Sequence, residues 1–170
     1  GDEAQLVIEK QGRGRVYGEY QVTNPRPGGQ YQVVVRGCDV GDNSCSCPDY
    51  KTNTLGTCKH IEAVLASLRE ETPVQMQQRK ATVARPEVYL SYGEQLKVGL
   101  HLPPRHSDAL AQLAARFFDA QGLWKDGQRY DDLFVALEQV PEQVTLFTDA
   151  RDFMERAIEK REMLRREQER

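Results

Sequence analysis

The sequence predicts an α+β chain of two modules: a β-meander closed by one helix, followed by a second small α+β module. Three observations carry this reading. Residues 5–36 hold three runs rich in Val, Ile, Tyr and Thr, separated by Gly, Pro and Asn clusters; such a pattern reads as strands joined by turns. "KHIEAVLASL" puts Ile61, Val64, Leu65 and Leu68 at the i, i+3, i+4, i+7 spacing of one helical face. Between them, "CSCPDYKTNTLGTCKH", residues 45–60, gathers three cysteines and a histidine where strand gives way to helix.

Taken in order, "QLVIEK", "GRVYGEYQVT" and "YQVVVRG" are the meander strands, with turns at "QGRG" and "NPRPGGQ". "NSCSC" is a short fourth strand bearing Cys45 and Cys47 on one face, ended by Pro48, which cannot donate to a ladder. A loop follows, in which Gly56 relieves the backbone as it turns back. Thr57 is the expected N-cap of the helix, which puts Cys58 and His60 in its first turn. This first module spans 1–70. Residues 71–86, polar and bounded by prolines, read as a linker.

The second module spans 87–170. "EVYLSY" and "QLKVGLHL" flank Gly93 as a hairpin. "SDALAQLAARFFDAQG" is a helix with Ser107 as N-cap and Gly122 as its stop. "DDLFVALEQV" is a shorter helix and "QVTLFT" a strand. The last helix, "TDARDFMERAIEKREML", carries an apolar face expected to end near Leu164.

Composition bounds the partners. Among 170 residues, 23 Lys and Arg stand against 26 Asp and Glu, a formal net charge of −3. A protein that coats nucleic-acid phosphate by non-specific attraction is usually basic, so that mode is disfavoured. No apolar run approaches the ~20 residues that span a bilayer, and no apolar signal-peptide core opens the sequence. The expectation is an intracellular, bacterial cytoplasmic setting without a membrane partner, where thiols bind metals more often than they form disulfides.

Cys45, Cys47, Cys58 and His60 form C-x-C-x10-C-x-H. Three thiolates and one imidazole match a closed tetrahedral zinc site with no position left for water. A disulfide pair would leave the other two groups unexplained, and a thioredoxin-like centre needs C-x-x-C, which is absent. The expectation is one structural zinc that supplies much of the folding free energy of a small core.

The C-x-C-x(n)-C-x-H pattern on a ββα unit resembles the SWIM zinc finger. The fuller stretch "SCSCPDYKTNTLGTCKHIEAVLASL" is similar to SWIM modules attached to bacterial SWI/SNF-type helicase-like ATPases. The resemblance implies that Cys45, Cys47, Cys58 and His60 are the ligands. It also implies a role in binding DNA or a protein partner, with an ATP-binding motor C-terminal to the module in the parent chain. If the module touches DNA, the contacts fall to Lys51 in the zinc loop, Lys59 at the helix start, Arg36 and Arg69; Asp49 and Glu62 lie beside them and offset part of their attraction. Binding by the module alone is then expected to be weak.

Elsewhere the signals are bland. Cys38 stands outside a complete ligand set. His101 and His106 flank "LPPR" without further ligands nearby, and Trp124, Tyr130 and Phe134 suit core packing. There is no G-x-x-x-x-G-K-[ST] loop and no Gly-x-Ser-x-Gly elbow, so this chain is expected not to be an enzyme. Asp49-Tyr50-Lys51 is the one D-x-K, and it lies inside the zinc loop, which leaves a degenerate nuclease as the third reading after DNA contact and protein interaction.

Overall fold

The computed structural model describes residues 5–12, 16–26, 28–73 and 83–169. Its contacts divide the chain into two units, Gly1–Ala81 with Tyr92–Leu96, and Thr82–Ser91 with Lys97–Arg170. Of the linker expected at 71–86, residues 74–82 lie outside the described residues.

The first unit contains the expected antiparallel meander: β1 (Val7–Lys10), β2 (Gly18–Thr23), β3 (Gln30–Val35) and β4 (Ser44–Cys45), in spatial order β1-β2-β3-β4. The turn between β2 and β3 is closed by Asn24, whose side chain accepts the Arg26 N–H at 3.0 Å and whose own N–H donates to Gly29 O at 2.8 Å. The two-residue strand period puts Tyr20 and Val22 of β2 and Val33 and Val35 of β3 on the inner face, all buried. Tyr20 pairs with Val33 and Val33 with Cys45, so one inner row runs across the sheet to a cysteine at its edge.

Two helices follow, α1 (Pro48–Thr52) and α2 (Lys59–Glu71). The α2 face Ile61, Val64, Leu65 and Leu68 is buried in one cluster with Val22, Val33 and Val35, as the helical spacing predicts. Each such side chain contributes about 1.5–3 kcal/mol by leaving water. A charge at Val64, which has no exposed surface, would break this packing.

Two expectations about this unit are corrected. Cys47 does not share a strand face with Cys45: β4 ends at Cys45, and the segment read as a loop begins with a turn of helix. Pro48 opens that helix, its fixed φ suiting a first helical position whose N–H needs no partner. Thr57 is not the cap of α2. Cys58 is, with an extended backbone and no capping bond from its sulfur, while the Thr57 hydroxyl donates to Glu62 Oε1 at 2.7 Å.

In the second unit, β5 (Glu87–Ser91) pairs antiparallel with β6 (Lys97–His101) and parallel with β7 (Thr145–Leu146), in order β6-β5-β7. The helices are α3 (Asp108–Phe117), α4 (Tyr130–Gln139) and α5 (Thr148–Gln168). Ser107 caps α3 as expected, accepting the Leu110 N–H at 3.1 Å. Gly122 does not stop that helix: α3 ends at Phe117, because Phe118 turns extended to bridge Trp124. Gly122 instead sits in the intervening turn at φ +78°, where a Cβ would come 2.8 Å from Leu100 O. Trp124 is buried against Phe117, Phe118 and Tyr130 at centroid distances of 5.7, 5.5 and 4.5 Å. The apolar face of α5 packs for a shorter span than expected: Ala150 and Met154 are buried and Ala157 and Ile158 half-buried, but Leu164 is exposed. No helix among the described residues is long and apolar enough to cross a membrane.

Candidate metal centre

Each ligand comes from a different local device. Cys45 ends β4, held by its pairing with Val33. Cys47 is the N-cap of α1, its sulfur accepting the Tyr50 N–H at 3.3 Å. Its own N–H donates to Cys45 Sγ at 3.5 Å. Cys58 is the N-cap of α2, and His60 lies in the first turn of that helix. Both helices therefore start at the site, where unpaired amide N–H groups favour thiolates.

The connecting segments are tied down as well. Asn53 closes the loop between the helices, accepting the Leu55 N–H at 2.8 Å and donating to Thr57 O at 2.8 Å. Gly56 takes φ +76° there, and a Cβ would press to 3.1 Å from Val40 Cγ1. On the other side, buried Asn43 organises the approach to β4. Its Oδ1 accepts the N–H groups of Arg36 (2.7 Å) and Gly37 (3.2 Å), and its Nδ2 donates to Gly37 O at 3.0 Å. The Tyr50 hydroxyl donates to Asn43 O at 3.1 Å, linking α1 back to that turn.

The result is one compact set of donors. Three sulfurs and an imidazole nitrogen lie within 4.8 Å of one another, all four residues are buried, and His60 Nδ1 is 3.8 Å from both Cys45 Sγ and Cys58 Sγ. A tetrahedron with Zn–S bonds of ~2.3 Å and a Zn–N bond of ~2.0 Å has edges of roughly 3.5–3.8 Å, so a small contraction closes the set around one ion. No more than 4% of any ligand's surface is exposed, and four protein donors complete a tetrahedral set. The centre fits one structural zinc.

Electrostatics agree. A hydrogen bond from the Cys45 thiol holds the Cys58 thiol down to about 5, against the opposing effect of burial. The same pairing pushes Cys45 up, and burial pushes Cys47 up. A dication in the middle favours the thiolate at all three sulfurs and so offsets what burial and pairing raise at Cys45 and Cys47.

Residues 31–69 match the SWIM zinc finger. The match opens at Tyr31 in β3 and ends at Arg69 in α2, enclosing all four ligands. The SWIM segment thus begins part-way into the meander, and β1, β2 and the whole second unit lie outside it. Comparison with curated proteins and with solved structures gave no match.

Other predicted site residues are placed apart. Lys51 is exposed on α1, and Lys59 and Arg69 are exposed at opposite ends of α2, about 15 Å apart along its axis. Arg36 is half-buried beyond the end of β3. Lys59 and Arg69 therefore do not share one patch. Cys38 lies 4.0 Å from the Tyr17 hydroxyl, outside the donor set. His101 stacks on Tyr89 at 4.0 Å and the His106 Nδ1–H donates to Pro103 O at 2.9 Å; among the described residues neither joins a metal-ligating group. Sequence reasoning missed Asn43, Tyr50 and Tyr31 as supports. Only α1 had a readable local signal, the Pro-Asp pair that opens it.

Proposed function

We propose that this chain is a non-enzymatic, zinc-held recognition module that contacts DNA weakly and orients a larger DNA-acting assembly. The observation that carries it is the placement of Lys51 and Lys59. They are exposed on the two helices whose first residues flank the centre, so the metal that joins Cys47 to Cys58 also fixes these two cations relative to each other. Asp49 and Glu62, also exposed, weaken the attraction. Affinity from so few cations is low, and a tethered motor adds the rest through effective concentration. The likeness of the zinc loop to modules of bacterial SWI/SNF-type ATPases supports such a motor as the assembly, in the cytoplasm.

Titrating labelled duplex at several salt concentrations tests the reading. With ~2 phosphates neutralised, log K against log salt should slope at roughly −1.8, and the double variant Lys51→Glu with Lys59→Glu should abolish binding while retaining zinc. A second reading, recruitment of a protein partner, draws on Val40, in the segment before β4, and Leu55, beside Gly56, which are 71% and 65% exposed. No duplex binding at low salt by the zinc-loaded chain would favour that reading.

A further inference from the structure

His60 is the only ligand with a second polar atom to satisfy. A thiolate ends at its sulfur, whereas an imidazole carries two nitrogens and offers one to the metal. Nδ1 faces the sulfurs at 3.8 Å. The other nitrogen, Nε2, is buried and has no hydrogen-bond partner among the described residues. Metal-bound histidines ordinarily donate that second N–H to a carboxylate, a carbonyl or water, and the bond fixes both tautomer and ring orientation. The donor set of this centre includes no such acceptor for His60.

An aromatic ring packs against the imidazole instead. Tyr31 packs on the imidazole with centroids 4.6 Å apart and planes tilted by 39°. It projects from β3 two residues before Val33, the partner of Cys45, so one strand aligns one ligand and braces another. The ring is itself placed by the turn before it. A Cβ at Gly29 would come 2.8 to 3.0 Å from three Tyr31 ring and hydroxyl atoms, so the missing side chain leaves the space the phenol fills.

We propose that Tyr31 is a positioning residue for the zinc centre: its ring holds His60 with Nδ1 toward the three sulfurs and Nε2–H buried, in place of the usual hydrogen-bond acceptor. The ring does this by shape and by the packing of its face on the imidazole, and its hydroxyl is not required. The inference concerns the centre itself and stands whether the module meets DNA or a protein.

Two measurements on the zinc-loaded full chain test it. Long-range 1H–15N correlation on the unaltered protein should show His60 protonated at Nε2 and metal-bound at Nδ1; the opposite tautomer overturns the proposal. Zinc transfer to a chromophoric chelator should be about tenfold faster or more in Tyr31→Leu, and within about twofold of the unaltered chain in Tyr31→Phe. Equal rates for Tyr31→Leu and the unaltered chain overturn it, as does a Tyr31→Phe variant as fast as Tyr31→Leu. Should Tyr31→Leu fail to fold, the tautomer of the unaltered protein decides alone.

Discussion

The Tyr50 backbone N–H donates to the Cys47 sulfur at 3.3 Å, so a metal ligand is also the N-cap of a helix. Metal binding and helix formation are therefore coupled at one atom. The same tyrosine donates its hydroxyl to Asn43 O, which joins the helix to the turn leading into β4. Four consequences can be measured.

The chain should bind one zinc. Native mass spectrometry of Cys58→Ser should show it lost, because the remaining three donors leave a coordination position open. Cys38→Ser should keep the full complement, since that thiol lies outside the donor set. Zinc retained in Cys58→Ser, or two zincs in the unaltered chain, contradicts the assignment.

Chelation should unfold the first unit and spare the second, because the free energy of binding a structural zinc is folding free energy. The single tryptophan, Trp124, reports on the second unit, where Phe117, Phe118 and Tyr130 enclose it. Far-UV circular dichroism should fall in part, with Trp124 fluorescence unchanged. A simultaneous shift of both signals would show that the two units unfold together.

Asn43→Ala should destabilise the zinc-loaded first unit by about 2 kcal/mol or more, at about 1–3 kcal/mol for each of the buried Gly37 N–H and C=O groups left unsatisfied. The substitution removes the partner of two N–H groups and one carbonyl. Denaturant unfolding measures it, and a loss under about 1 kcal/mol would mean that water replaces the side chain at that turn.

The start of α3 should loosen in acid. Glu142 accepts from the Ser107 hydroxyl at 2.6 Å and the Ser107 N–H at 2.7 Å, and these bonds, the hydroxyl's first, hold its carboxyl below the usual carboxylate range. Its folded value lies under its unfolded value. The stabilisation is therefore full above about pH 4.3, the unfolded value, and is lost as pH falls through the folded one. Thermal unfolding of the unaltered chain and of Glu142→Gln should differ at pH 7 and converge in acid; a difference that persists unchanged at pH 2 would refute the linkage.

What was legible in the sequence is what short chain segments dictate. C-x-C and C-x-H place two ligands within reach of one ion in almost any backbone conformation, so the donor set could be read without the fold. The inner faces of β2 and β3 and the stripe from Ile61 to Leu68 follow in the same way from the periods of strand and helix. Tertiary structure decided which groups support those donors. Asn43 orders the turn before β4 because β3 brings Arg36 and Gly37 back beside it, and Tyr31 meets His60 because the meander lays β3 across α2. It also overruled a local preference at Thr57. Local preference favours threonine as an N-cap, but the cap position goes to Cys58, whose sulfur there lies 3.8 Å from His60 Nδ1 within the donor set. Local spacing fixes what a segment can offer, and packing between distant segments fixes what meets it.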